Sequence, residues 1–273
     1  MSLEDIIRKS LDEDLGSGDI TTAYLDLEPK ISTAYMIAKE AGIIAGAEIA
    51  KQVFKMVDTD LKVILYRKDG DAVAKGDEIM RIEGRPASIL QAERTALNFL
   101  QRLSGIASKT NRMVKALSGT KTRLLDTRKT TPLLRTLEKY AVRVGGGFNH
   151  RFGLYDMIML KENHIRAAGG ITAAVTRVKQ HNTTYKIEVE VTNQDEVAEA
   201  VACKADRVML DNMSLKDIRA AVKKYGKQME FEISGGVNED NILSYAKTGV
   251  QYISSGALTH SYKSLDISLL FKE

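Results

Sequence analysis

Cysteine occurs once in the 273 residues, at Cys203. A disulfide framework is therefore excluded, and the chain reads as one suited to the reducing cytoplasm. Cys203 sits in 198–206, read as the end of a helix, where it serves as a small buried apolar group. No apolar run approaches the roughly 20 residues that span a bilayer. The opening stretch MSLEDIIRKSLDEDLG is acidic and amphipathic and lacks the apolar core of a secretion signal. An excess of one charge is missing too: 40 Lys and Arg stand against 36 Asp and Glu, leaving +4. With no basic tail and no aromatic–basic interleaving, nothing points to nucleic acid as a partner. Exact repeats and low-complexity segments are absent.

What is present divides into two patterns. Residues 31–85 read as short strands over 33–46, 61–71 and 78–84, with Gly70 and Gly76 at turns. This resembles half of the hammerhead of biotinyl and lipoyl carriers. Lys75 lacks their neighbouring methionine and is followed by Gly76 and Asp77, so the motif is read as hairpin geometry. Pro86 then opens a helix over 86–103. Leu90, Leu97 and Leu100 form one stripe on it, and Arg94 falls on the same stripe. A cation there either snorkels at the core edge or reaches across an interface toward an anion.

From residue 122 strands and helices alternate. Strands are expected at 122–127, 156–161, 185–191, 206–211, 229–234 and 250–255. Helices are expected at 132–143, 169–181, 193–203, 214–225 and 238–247. Alternation implies parallel strands with right-handed crossovers, and six such units favour an α/β barrel, closed or partly open, over a doubly wound sheet. No G-x-G-x-x-G follows the first strand, which weakens a dinucleotide site.

In such a barrel the active site lies where strands end. Those ends carry Arg128 and Lys129 with Thr130 beside them, then Lys161, Glu190, Asp211, Ser234-Gly235-Gly236 and Ser254-Ser255-Gly256-Ala257. The last two loops suit a phosphate, because glycine admits backbone N–H groups close to oxygens and serine hydroxyls donate; His260 is near enough to help. Ile187, Val189 and Val191 share one face of a strand; Lys186, Glu188 and Glu190 share the other and need partners if they face inward. Glu190 and Asp211, ending adjacent units, can share a Mg²⁺, directly or through water, or face developing positive charge. Arg128, Lys129, His150, Arg151 and Lys161 together make a pocket for a multiply charged anion. Lys161, ending a strand in a hydrophobic run, also fits a Schiff-base lyase.

The run 126-DTRKTTPLLRTLEKYAVRVGGGFNHRFGLYDMIMLKENHI-165 closely resembles the signature region of the quinolinate phosphoribosyltransferase (nicotinate-nucleotide pyrophosphorylase, carboxylating) family. The likeness continues through 13-EDLGSGDITT-22, 93-ERTALNFLQRLSGIA-107, 187-IEVEV-191, 208-VMLDNM-213, 232-EISGGV-237 and 259-THSYKSLDISL-269. It implies an enzyme of NAD biosynthesis that joins quinolinate to 5-phosphoribosyl-1-pyrophosphate with Mg²⁺. The products are nicotinate mononucleotide, CO₂ and pyrophosphate. It further implies that Arg128, His150, Arg151 and Lys161 bind the two carboxylates, with Arg94 donated across the interface of a homodimer (a hexamer being the alternative). Lys129, Glu190 and Asp211 would surround the ribose, pyrophosphate and metal, and the SGG and SSGA loops would hold the 5-phosphate. The implied fold is an N-terminal α/β sandwich, residues 1–107, and a seven-stranded α/β barrel, residues 108–261, with tail 262–273 returning to the first domain. Three positions depart from the family's habit: Leu133 for Gly, Val144 for Cys and Glu162 for Asp. A related pyrophosphorylase acting on a different anionic aromatic acid is the nearest alternative.

Overall fold

The structure is a computed structural model describing residues 2–25, 27, 30–181 and 184–272. Its elements in chain order are α1 (Leu3–Leu15), α2 (Ile20–Leu25), β1 (Ser32–Ala38), β2 (Gly42–Ile43), α3 (Ala47–Val57), β3 (Lys62–Leu65), β4 (Ala72–Val73), β5 (Glu78–Gly84) and α4 (Pro86–Ala116). There follow β6 (Arg123–Leu125), α5 (Arg135–Val144), β7 (Ile158–Leu160), α6 (Glu162–Ala168), α7 (Ile171–Gln180), β8 (Ile187–Val191) and α8 (Gln194–Ala202). The last are β9 (Arg207–Asp211), α9 (Leu215–Tyr225), β10 (Glu230–Ser234), α10 (Ile242–Ala246), β11 (Tyr252–Ser254), α11 (Ala257–His260) and β12 (Ile267–Phe271). They form two compact units, one of residues 1–109, 132–145 and 262–273, the other of 110–131 and 146–261.

The first unit carries an antiparallel sheet in the order β12-β1-β5-β3. Alternation along β1 buries Ala34, Met36 and Ala38, the period of a strand with one face on a core. Ile7 of α1, Phe54 of α3 and Leu97 and Leu100 of α4 are buried as well. β12 adds the C-terminal segment to the sheet edge, with Met36 opposite Leu269. The region read as strands also contains α3, whose start is capped from a distance: the Asp69 carboxylate accepts the Gly46 and Ala47 N–H groups and the Tyr140 hydroxyl.

The second unit is a six-stranded parallel sheet in the order β6-β11-β10-β9-β8-β7. Ile187, Val189 and Val191 of β8, Val208 and Leu210 of β9, and Phe231 and Ile233 of β10 are all buried. Beyond β6 lies a seventh position reduced to one bridge. Phe148 donates its N–H to Leu124 O at 2.9 Å and accepts from Asp126 N at 3.0 Å. Hydrogen bonds do not close the barrel among the described residues. The ladder stops there because the next groups turn aside: His150 N–H and the Asn149 amide both donate to the Asp126 carboxylate.

All six strands expected after residue 122 form. Helix α4 runs to Ala116, beyond the expected Leu103, and the short helix α6 was not foreseen. α5 starts at Arg135 instead of Pro132, since Leu133 takes a left-handed φ of +67° that interrupts the helix. Cys203 is the half-buried C-cap of α8, its thiol donating to Thr172 Oγ1 at 3.4 Å, and not a core group.

Candidate active site

At the carboxyl ends of the parallel strands lies a cavity of about 900 Å³. Arg128, Lys129, His150, Arg151, Lys161, Glu190, Asp211, Ser234, Gly235, Gly236, Ser255, Gly256, Ala257 and His260 all line it. Residues scattered over 133 positions of chain are thus gathered by topology alone, from Arg128 to His260. Thr130 and Arg94 are not among the lining groups. Arg94 lies on α4 with its side chain exposed, at the margin of the buried stripe holding Leu97 and Leu100.

The loop after α5 is fixed from beneath. Asp126, fully buried at the end of β6, accepts the His150 N–H at 2.9 Å and the Asn149 amide. His150 turns its ring into the barrel, Nε2 lying 3.1 Å from Glu188 and 3.4 Å from Glu232. Arg151 donates its backbone N–H to His150 Nδ1 at 2.6 Å and its guanidinium to Met157 O at 3.2 Å. Burial, and then the charge of Arg128, lower the Arg151 pKa from its ordinary value. Two guanidinium groups held close in this way favour an anion between them.

Glu188 and Glu232 face inward and are buried completely. The Arg207 guanidinium supplies a countercharge 3.0 Å from Glu232 and 4.0 Å from Glu188, and stacks 3.8 Å above the Tyr252 ring. Burial would lower the His150 pKa, but hydrogen bonds to Glu188 and Glu232 and their charges outweigh it and push it up to about 9. The Arg151 bond opposes that shift: an N–H can donate only to a bare Nδ1, so the ring held here is the neutral tautomer, with its one proton on Nε2 facing the two carboxylates.

Lys161 follows β7 and caps α6, where His164 Nδ1 accepts its backbone N–H at 3.1 Å. Its ammonium donates to Glu190 at 2.7 Å. Asp211, last in β9, accepts from the Asn212 amide at 2.8 Å. Glu190 and Asp211 thus offer carboxylate oxygens to one cavity from adjacent strands. That all-oxygen donor pair fits Mg²⁺, which takes one or two carboxylates and keeps water or phosphate at its other positions. Among the described residues the one grouping of three convergent metal-ligand types is His150, Glu188 and Glu232, in the barrel interior.

The two final loops are locked together. Ser255 donates its hydroxyl to Val237 O at 2.8 Å and its N–H to Leu125 O at 3.0 Å. Its donors are thus engaged within the protein, and the open backbone of the cradle belongs to the glycines. Gly235 and Gly236 have φ of +97° and +61°, and a Cβ at Gly235 would sit 2.1 Å from Asn212 Oδ1. A Cβ at Gly256 would come within 2.9 Å of both His260 Nε2 and Lys129 Cδ. Thr259 Oγ1 holds Lys129 O at 2.7 Å. Lys129, Gly256 and His260 consequently form one wall.

Sequence reading missed Asp126, Asn212, Arg207 and Glu232. The inward face was legible in principle: period 2 places Glu188 with Glu190, Arg207 with Asp211, and Glu232 with Ser234. Two buried residues facing a cation two positions before a site residue are the signal that could have found them.

A cation-walled cavity at the carboxyl ends of a parallel α/β sheet, floored by glycine loops, defines an enzyme that handles phosphorylated, anionic small molecules. The comparisons narrow that class. Residues 106–270 match the family described as Quinolinate phosphoribosyl transferase, C-terminal domain, and residues 19–104 match its N-terminal domain. This chain belongs to the quinolinate phosphoribosyltransferase family. It is 44% identical to the probable nicotinate-nucleotide pyrophosphorylase [carboxylating] of Bacillus subtilis, covering 98% of this chain and 93% of that one. It superposes on a nicotinate-nucleotide pyrophosphorylase from Francisella tularensis with a TM-score of 0.95 at 46% identity, over 99% and 96% of the two chains. The corresponding Ehrlichia chaffeensis structure gives 0.96 at 38% identity, over 100% and 99%. Among the described residues no helix is long and apolar enough to cross a membrane.

Proposed function

We propose that this chain transfers the phosphoribosyl group of 5-phosphoribosyl-1-pyrophosphate to quinolinate, with loss of CO₂, in NAD biosynthesis, and that it acts as a homodimer in the cytoplasm. The observation that carries the reading is the single cavity in which Arg128, Lys129, His150, Arg151 and Lys161 face the two glycine loops. Two carboxylates on adjacent ring carbons match the Arg128–Arg151 pair and Lys161. The 5-phosphate matches the backbone at Gly235, Gly236, Gly256 and Ala257, with Ser234, Ser255 and His260 bordering it.

The chemistry asks mainly for position and charge. Mg²⁺ held by Glu190 and Asp211 would neutralise pyrophosphate as it leaves. Lys129 stands on the wall nearest the phosphate loops and shares that task. As the C1–O bond breaks, its electron pair goes to pyrophosphate, and Glu190 and Asp211 face the positive ribose carbon. The pyridine nitrogen donates its lone pair to that carbon. The ring, now cationic, takes up the electrons of the C2–carboxylate bond as CO₂ departs, and a proton from water completes C2. Arg128 and Arg151 hold the dianion so that its nitrogen meets C1. Arg94 of a second copy would add a further cation, and Thr130, whose N–H donates to Arg128 O at 2.9 Å, would serve substrate binding by shaping the turn that carries Arg128 and Lys129.

Calorimetry tests the pocket. Quinolinate should bind about 100-fold more tightly than nicotinate, which lacks one carboxylate for the cations that line the cavity. Equal affinities would contradict the dianion site. The lyase reading of Lys161 is tested by borohydride with carbonyl substrates: no adduct should form on Lys161, because its ammonium is paired with Glu190 and not poised as a free amine. A trapped adduct would reverse the assignment.

A further inference from the structure

The buried carboxylates Glu188 and Glu232 play no part in the chemistry above, yet each is completely excluded from solvent. Each has an oxygen, Oε1, without a hydrogen-bond partner. Burying two carboxylates costs several kcal/mol unless they are well paired, so their retention calls for a use. They meet His150, a residue expected to touch the substrate. Both of its ring nitrogens are already engaged within the protein. Nε2 faces Glu188 and Glu232 at 3.1 and 3.4 Å, and Nδ1 accepts the Arg151 N–H at 2.6 Å. A ring so engaged has no N–H left for a ligand carboxylate.

We infer that His150 is a positioning residue, a rigid link through which Glu188 and Glu232 fix Arg151 for its substrate carboxylate. The inference rests on the quinolinate reading and assigns roles within it. The link is continuous. Glu232 is held by Arg207 at 3.0 Å and receives the His150 ring. The ring accepts the Arg151 amide, and the Arg151 guanidinium is braced on Met157 O at 3.2 Å. Asp126 takes the His150 N–H at 2.9 Å, so ring and backbone of one residue are clamped from opposite sides. The three side chains His150, Glu188 and Glu232 could also be imagined as metal ligands. Neither ring nitrogen offers a metal a lone pair, because Nδ1 accepts the Arg151 N–H and Nε2 carries the proton that faces the carboxylates.

A double-mutant cycle separates positioning from contact. His150→Phe keeps a ring of similar size without nitrogens, and Arg151→Ala removes the side chain it serves. Quinolinate dissociation constants are measured by calorimetry for wild type, both single variants and the double variant. His150→Phe should weaken quinolinate about tenfold beside Arg151 and less than twofold in the Arg151→Ala background. Independent, multiplying losses would show that His150 binds the substrate directly and would overturn the inference. Glu232→Gln, outside the cavity and of equal size, gives a second route should His150→Phe not fold. It should weaken quinolinate severalfold only while Arg151 is present, and 5-phosphoribosyl-1-pyrophosphate not at all. An unchanged quinolinate affinity in Glu232→Gln would overturn the link. If wild type itself binds no quinolinate, the functional reading fails at the outset and the inference with it.

Discussion

Arg128→Ala raises the quinolinate dissociation constant by about 100-fold, because the dianion loses one of the guanidinium groups that line the cavity. The same variant keeps or slightly gains thermal stability. Arg128 is a charge that lowers the Arg151 pKa, so the two guanidinium groups repel one another in the ligand-free protein. Removing Arg128 relieves that repulsion while destroying the site. Function and stability moving in opposite directions is the signature of a side chain held for its ligand. Calorimetric titration and thermal melting of one preparation check both halves. Near-wild-type affinity would remove Arg128 from the dianion pocket, and a collapse in melting temperature would make it a structural residue.

Gly235→Ala is the second large effect, and it acts through the backbone. Its φ of +97° is costly for any residue with a Cβ, and that Cβ would fall 2.1 Å from Asn212 Oδ1. Either the loop or Asn212 must move. Asn212 is the side chain that donates to Asp211 at 2.8 Å, so the disturbance spreads from the phosphate cradle to the carboxylate opposite the ribose. The expected result is a loss of about 2–3 kcal/mol in stability. A fall of about 100-fold in kcat/KM for 5-phosphoribosyl-1-pyrophosphate should accompany it, since a displacement near 1 Å carries a penalty of that size. Wild-type affinity for that substrate would mean the loop does not hold its phosphate.

Much of this was legible in the sequence, for identifiable reasons. The six parallel strands are short, apolar and bounded by turn residues, and each appears where its pattern places it. The anion pocket was legible because a barrel converts strand ends into neighbours, so Arg128, Lys161, Glu190, Asp211 and Ser234 could be read off one by one. Pairing was harder to read. Nothing in 187-IEVEV-191 says that Glu188 goes to His150 while Glu190 goes to Lys161, since both lie on one strand face. Their fates diverge only with depth in the barrel. Helix α3 lies between the strands read at 33–46 and 61–71; Gly46 and Asp58 bound it, and the helical spacing of Ile49, Val53 and Phe54 was the signal that could have found it. The departure at Leu133 acquires a physical meaning from its φ of +67°, a conformation that the glycine usual in this family adopts freely. Arg94 shows the opposite limit: it is exposed at the margin of the apolar stripe, a place that snorkelling and an interface fit equally well.

The account turns on one reaction, and product analysis tests it most directly. Purified protein is mixed with Mg²⁺, 5-phosphoribosyl-1-pyrophosphate and quinolinate labelled in its 2-carboxylate, and labelled CO₂, nicotinate mononucleotide and pyrophosphate are quantified together. The account predicts equal amounts of all three, with nicotinate supporting little or no turnover in quinolinate's place. Pyrophosphate release without labelled CO₂, or equal turnover with nicotinate, would contradict it.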